Sequence, residues 1–234
     1  MSAVAFDFAG HGALVTGAGA GIGRAVALAL GAAGAAVVCG DINPDRADDV
    51  SDAIRAAGGR ALAQQGDVAN RFQMAAMIEA GREAFGRLDI LVNAAGVYKR
   101  GELLKFDEWD WRRVLDVNMT GTFFALQLLA RVMGDEGGGA IVNIASDAAY
   151  PLPIREGVAY AASKSGVVGM SLQAAHELAT SGVRVNVVCP GDIAEDDGTP
   201  MRTHAPRPPE AIVPLILFLC SDAAKGITGQ RFVV

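Results

Sequence analysis

The residues whose types and spacing could do chemistry are Ser146, Tyr160 and Lys164. Tyr160 and Lys164 lie four apart at the start of an apolar helical pattern, so they share one helix face. A lone Y-x-x-x-K pair is common on solvated surfaces. Here it coincides with a serine after an apolar run (Ala140–Ala145) and with a glycine-rich turn, Thr16–Gly23. Such a group suits alcohol–carbonyl interconversion, in which a hydride moves at carbon while a proton moves at oxygen. The proton needs a partner poised near neutral pH. Tyrosine titrates near ~10 unaided, and a neighbouring ammonium such as Lys164 favours the phenolate. Ser146 can hydrogen-bond the substrate oxygen and stabilise its partial charge. Asn118, in VNMTG, falls inside a helical pattern where an amide is disfavoured. It reads either as a capping or kink residue or as an amide that holds a water beside Lys164 and relays protons.

The glycine turn, TGAGAGIG, follows a short apolar segment and opens an apolar helical pattern (Ile22, Val26, Leu28, Leu30). Exposed backbone N–H groups and the helix dipole make such a turn a place for phosphate. The G-x-G-x-x-G fingerprint fails here, because its sixth position is Ile22 counted from Gly17 and Arg24 counted from Gly19. The spacing that fits is G-x-x-x-G-x-G on Gly17, Gly21 and Gly23. No Gly-Lys-Ser/Thr follows, which excludes a Walker loop.

Further candidates stand just after successive strand-like runs. Asp41 lies 18 residues beyond Gly23, where a carboxylate can accept from adenosine ribose hydroxyls and repel a 2′-phosphate. Neither Ala20 nor Ile42 supplies a cation for that phosphate, so the pattern favours NAD(H) over NADP(H). The other reading of Asp41 is a cap for the helix at Pro44. Asp67 and Val68 can accept from an adenine amino group and pack the ring edge, or form an ordinary turn. Asn93-Ala94-Ala95-Gly96 leaves room for adenosine beside the glycine turn, or packs a helix turn.

The elements that must position these residues alternate. Strand candidates are 13–16, 36–40, 61–64, 90–93, 140–145, 184–189 and 231–234. Helix candidates are 22–33, 44–57, 71–85, 108–133 with a possible break, 160–180 and 209–219. Strand and helix in repeated alternation predict right-handed crossovers and a doubly wound parallel α/β sheet in three layers. Ligands of such sheets bind at the carboxyl ends of the strands. A chain of 234 residues, 51% hydrophobic, fits one such domain over 1–234. The stretch 190–209 is its one long irregular segment, the kind usually tied to function. Net charge is −6 without a basic block, which argues against nucleic acid. Cys39, Cys189 and Cys220 are isolated in apolar runs, so buried thiols are expected, with no disulfide or metal spacing. The N-terminus lacks a secretory pattern and no apolar run is long enough for a membrane span. A cytoplasmic protein is expected.

Together these residues resemble the short-chain dehydrogenase/reductase superfamily, in its short single-domain branch. The likeness runs from about Phe8 to the C-terminus and is carried by Thr16–Gly23, Asp41, Asp67-Val68, Asn93–Gly96, Asn118, Ser146, Tyr160–Lys164, Pro190-Gly191 and Ile227–Gln230. The resemblance implies a seven-stranded Rossmann-type sheet in order 3-2-1-4-5-6-7. It implies Tyr160 as general acid/base, with Lys164 binding the nicotinamide ribose, Ser146 orienting substrate and Asn118 completing the relay. Cofactor contacts are implied at Gly17, Gly19, Gly21, Ile22, Gly23, Asp41, Ile42, Asp67, Val68, Asn93, Ala94, Ala95, Gly96, Tyr160, Lys164, Pro190, Gly191 and Ile193. A homodimer or homotetramer paired through the helices near Glu108 and Tyr160 is implied as well. Three features depart from the pattern. N-A-A-G replaces the commoner N-N-A-G. An acidic stretch, 192–197, precedes Thr199 and shortens the substrate lid. The chain stops at Val234, before the usual Val-Asp-Gly-Gly.

Position alone nominates Tyr98, Asp147, Ile154, Arg155 and Asp192 for the substrate. Two carboxylates suit a polyol or an amine and Arg155 argues for an acid, while each is equally a surface charge. The leading reading is an oxidoreductase acting on a secondary alcohol or ketone, with a 3-oxoacyl-thioester reductase as a variant of it. The alternative is a nucleotide-binding regulator or scaffold of the same fold with little turnover. A sugar-nucleotide epimerase would need a larger C-terminal region than 234 residues supply.

Overall fold

In a computed structural model the described residues are 6–149, 154–193 and 206–234. Seven parallel strands form one sheet in the order β3-β2-β1-β4-β5-β6-β7. They are β1 (Gly12–Thr16), β2 (Ala36–Asp41), β3 (Arg60–Gln65), β4 (Ile90–Asn93), β5 (Gly139–Ile144), β6 (Val183–Cys189) and β7 (Arg231–Val233). The strand order expected above is the one observed. Most strands start a residue earlier than their apolar runs, because ladder pairing already includes Gly12, Arg60, Gly139 and Val183.

Alternation along each strand divides the core between two faces. Ala13, Val15, Val37, Cys39, Val92 and Val142 pack on one side with α1 (Gly21–Ala32), α2 (Pro44–Ala56) and α7 (Val213–Cys220). Leu14, Val38, Leu91, Ile141 and Val185 pack on the other with α3 (Arg71–Phe85) and α5 (Thr122–Asp135). The helices after β1 and β2 therefore cover one face and those after β3 and β4 the other. The chain reverses its direction of winding between β1 and β4, where an open sheet leaves a crevice for ligand. No helix among the described residues is long and apolar enough to cross a membrane.

Three helix expectations change. The pattern over 108–133 is not one helix. It divides into α4 (Glu108–Leu115), a π-helical segment (Asp116–Gly121) and α5. Gly121 allows this wide turn to press on Val68, since a Cβ there would lie 2.6 Å from Val68 Cγ2. The helix expected to begin at Tyr160 begins at Val158 and ends at Glu177 (α6). The last helix opens with a 3₁₀ turn, Pro209–Ile212, before α7. Of the irregular stretch 190–209, residues 194–205, including Thr199, lie outside the described residues. Ile193 and Arg207 form a parallel bridge across its base.

Candidate active site

Residues following six strands, β1 to β6, line one cleft of about 560 Å³ at the carboxyl edge of the sheet. Its floor is the glycine turn. Gly17 has φ 66, and a Cβ there would sit 2.7 Å from Ala95 Cα. Gly23 has no room for a side chain, because a Cβ would lie 2.0 Å from the Gly17 carbonyl. These two contacts explain the wide glycine spacing: it lets the turn fold back onto the first coil of α1. Ala20 caps α1 with no side-chain hydrogen bond and no acidic residue stands in the first turn. The first-turn residues of α1, Gly21 to Gly23, thus meet the cleft with no side-chain cap at the helix start.

Asp41 stands at the rim. Its carboxylate accepts the Gly19 N–H at 2.8 Å and the Asn43 N–H at 2.9 Å. The Pro44 helix is capped by Asn43 instead, whose side chain accepts from Arg46 N–H. Asp67 and Val68 also line the cleft. Asp67 accepts from Ala69 N–H at 3.0 Å, as a turn aspartate does, and pairs with Arg113 at 2.9 Å. Ile42, Gly21, Ile22, Ala94, Ala95, Gly96, Pro190, Gly191 and Ile193 are on the wall as well. Gly19 and Asn93 are not among the lining residues. Gly19 is turned to Asp41. Asn93 is buried behind the wall, where its amide donates to Asn143 at 2.8 Å and Asn143 donates to Ser171 at 2.9 Å.

At the other end Ser146, Tyr160 and Lys164 line the cleft together. Lys164 Nζ donates to the Ile144 carbonyl at 2.8 Å and lies 5.6 Å from the centroid of the Tyr160 ring. The strand end thus fixes the ammonium near the phenol. Ser146 Oγ accepts from Ala148 N–H at 3.1 Å and donates to Asp147 at 3.4 Å. Asn118 sits in the π segment, fully buried. Its amide accepts from Val97 N–H (2.8 Å) and donates to the Val97 carbonyl and to Ser163 Oγ (both 3.0 Å). Ser163 in turn donates to the Tyr160 carbonyl at 2.8 Å. A Cβ on Gly96 would meet Asn118 Oδ1 at 3.4 Å and Lys164 Nζ at 3.5 Å. Asn118 is not among the lining residues; it lies behind Gly96 on the Lys164 side, where its side chain anchors the loop after β4 to α6. Below this group burial pushes the Cys189 thiol up, opposed by Arg231 and Lys164.

Of the five substrate candidates only Tyr98 lines the cleft. Asp147 is buried and turned inward, its Oδ2 3.4 Å from where a Gly191 Cβ would be. Arg155 is exposed and pairs with Glu156 at 3.5 Å. Ile154 packs against Gly157. Asp192 ties its carbonyl to Arg207 N–H at the base of the irregular stretch. The sequence reading missed Arg46, Arg100 and Arg113, which line the cleft, and Ser163. Arg46 lies one turn into α2 from the Asp41 strand end, a signal that the Ala20 and Ile42 comparison overlooked.

The short chain dehydrogenase family model matches residues 11–206 of this chain. A 3-oxoacyl-[acyl-carrier-protein] reductase of Synechocystis is 41% identical over 95% of this chain and 94% of its own length. A cyclohexanol dehydrogenase of Acinetobacter is 39% identical over 95% and 92%. Among solved structures, a 7α-hydroxysteroid dehydrogenase complexed with NADH and 7-oxo glycochenodeoxycholic acid superposes with a TM-score of 0.91. It is 34% identical, covering 97% of this chain and 94% of that one.

Proposed function

Because the chain belongs to the short-chain dehydrogenase family, we propose that it is an NAD(H)-dependent oxidoreductase that interconverts a secondary alcohol and a ketone. One observation carries this reading: the glycine turn, Asp41, Ser146, Tyr160 and Lys164 all face a single cleft. The NADH held by the hydroxysteroid dehydrogenase supports a nicotinamide cofactor. The residues here fit that group. Gly17 and Gly23 keep the turn clear of side chains and α1 offers uncapped amides to a diphosphate. Asp41 offers a carboxylate to the ribose and opposes a 2′-phosphate.

A bound nicotinamide ring would give or take the hydride. The chain's residues handle the oxygen. Tyr160 passes a proton to or from the substrate oxygen, and Lys164 favours its ionised form by charge. Ser146 turns its hydroxyl from Asp147 to the same oxygen and stabilises the charge that develops there. Asn118 fixes the Val97 loop against α6, next to Lys164, the route by which protons reach solvent. Pairing of subunits through α5 and α6 leaves Phe123 and Leu172, both exposed, to be covered.

The test is a substrate panel followed at the NADH absorbance: cyclohexanol, threitol, a 7-hydroxysteroid and a 3-oxoacyl thioester. Turnover of a secondary alcohol with NAD, abolished by Tyr160→Phe while NADH still binds, is the expected result. Activity confined to the acyl thioester would replace the substrate class. NADH binding with no turnover of any substrate would favour the regulator reading.

A further inference from the structure

Tyr98 follows the Ala94–Gly96 turn after β4, yet it touches the segment that leads into α6. Its ring meets the Tyr160 ring edge-on, with centroids 5.0 Å apart and planes at 64°. Its hydroxyl donates to the Arg155 carbonyl at 3.3 Å. Three residues on, Gly101 N–H donates to the Glu156 carbonyl at 3.0 Å. Two neighbouring carbonyls of the entry turn are therefore stitched to the same loop. The turn needs holding. Glu156 has φ 57, the one non-glycine residue in the left-handed region among the described residues. A side-chain-bearing residue adopts that conformation at a cost of about 1–2 kcal/mol. The turn ends at Gly157, one residue before α6 and three before Tyr160.

The stitched pair also belongs to a stack. The Arg100 guanidinium lies 5.5 Å from the Tyr98 centroid, and Lys164 Nζ lies 5.6 Å from that of Tyr160. Cation, ring, ring and cation succeed one another along the cleft wall. Edge-on aromatic contact restricts a ring to a narrow range of tilt.

We propose that Tyr98 is a positioning residue for the Tyr160 phenol, acting through its ring on the Tyr160 ring and through its hydroxyl on the strained turn that opens α6. This inference rests on the role given to Tyr160 above. Without Tyr98 the Tyr160 ring loses one wall and its helix loses a tether, so the phenol is held less well at hydrogen-bond distance from the reacting oxygen. Misplacement of about 1 Å can cost on the order of 100-fold in rate.

The experiment compares Tyr98→Phe, which keeps the ring, with Tyr98→Leu, which removes it. The probe is cyclohexanol with NAD, with NADH affinity measured by fluorescence. The chain has three tyrosines, so tyrosine labelled with ¹³C at the ζ carbon gives three signals, that of Tyr160 assigned by its loss in Tyr160→Phe. The Leu variant is expected to lower kcat by about 10- to 100-fold with KM and NADH affinity within about threefold, and to broaden or split the Tyr160 signal. The Phe variant, which keeps the ring contact and loses only the bond to Arg155, is expected to restore a single sharp Tyr160 signal and to lower kcat by no more than about threefold. A loss confined to KM would make Tyr98 a substrate contact and overturn the proposal. So would a Leu variant whose Tyr160 signal stays single and sharp; this arm needs no substrate and decides the matter alone if cyclohexanol is not turned over. Unchanged turnover in Tyr160→Phe would defeat the role of Tyr160 itself, a separate failure from either of these.

Discussion

The Asp41 carboxylate accepts the Gly19 N–H at 2.8 Å, so the end of β2 and the glycine turn form one hydrogen-bonded unit. The group proposed to select the cofactor also shapes the turn that would bind its phosphates. Arg46 Cβ packs on the same side of Gly19 as the Asp41 carboxylate, 2.6 Å from where a Cβ would be, with Asp41 Oδ2 2.9 Å from that point. Anion and cation thus flank the same rim, with the anion tied down. Asp41→Ala is expected to weaken NADH binding by about 10-fold, the scale of a lost charge-assisted hydrogen bond. It is also expected to strengthen NADPH binding, as Arg46 becomes the dominant charge. Adding Arg46→Ala should remove the NADPH gain. Fluorescence titration with both nucleotides measures each step. Equal affinities for the two nucleotides in the unmodified protein would contradict the assignment.

Gly23 and Gly21 separate close contact from backbone conformation. A methyl at Gly23 would collide with the Gly17 carbonyl, which cannot retreat without opening the turn. Gly21 has φ 49 but open space around its Cβ position. Gly23→Ala is expected to abolish NADH binding and to destabilise the fold by more than about 2 kcal/mol, as overpacking does. Gly21→Ala should cost about 1–2 kcal/mol, the left-handed penalty alone. Denaturant melts and NADH titration of the two variants decide this.

The alternation of strand and helix was legible because burial on both faces of a parallel sheet imposes it on every crossover. The glycine spacing was legible because Gly17 and Gly23 admit no side chain. The residues approaching from helix sides were not. Arg46, Arg100 and Arg113 become wall residues only when α2, α4 and the loop after β4 are docked, and no local pattern encodes that docking. Asp147 shows the opposite error. Its place after Ser146 suggested a cleft carboxylate, but the 3₁₀ turn at Asp147–Ala149 carries it inward. The break in the helix that bears Asn118 was visible as a doubt, and the π turn resolves it through one extra residue per turn.

The cysteines give the pH dependence. Burial pushes the Cys39 and Cys220 thiols from the ordinary 9.0 up to about 12. Folding therefore favours the protonated thiols. Between about 9 and about 12 the unfolded chain loses these protons while the folded one keeps them, so stability falls as pH rises through that window. Below it the two thiols contribute no slope. Cys39→Ala should flatten the loss in melts between pH 9 and 11, after allowance for its cavity. Native protein at pH 8 should leave both thiols unreactive to a disulfide reagent until denaturant is added. Rapid labelling of Cys39 in the native state would show that the core is not closed around it.

Phe123 on α5 and Leu172 on α6 are 38% and 40% exposed. If subunits pair along these helices, both become buried. Phe123→Asp with Leu172→Asp is expected to shift the protein to a smaller species by light scattering, with its far-ultraviolet spectrum unchanged. An unaltered mass would place any assembly elsewhere on the surface.

Asn118 separates a scaffold role from a relay role. Its amide makes three bonds to Val97 and Ser163, and its own carbonyl accepts the Thr122 hydroxyl at 2.7 Å. Replacing the side chain by alanine takes a partner from the half-buried Val97 N–H and carbonyl and from the buried Ser163 hydroxyl. Each such loss costs about 1–3 kcal/mol when no water enters. Asn118→Ala is therefore expected to lower the melting temperature by several degrees, at about 2–4 °C per kcal/mol for a domain of this size. A residue that only held a relay water would lower turnover and leave the melting temperature unmoved. Because the amide also holds the loop of Gly96 and Tyr98 against the helix of Tyr160, turnover should fall in the same variant while NADH still binds. Melting and single-turnover rates on one preparation separate the two roles. A stable, inactive variant would assign Asn118 to proton transfer, and a destabilised, fully active one would assign it to structure alone.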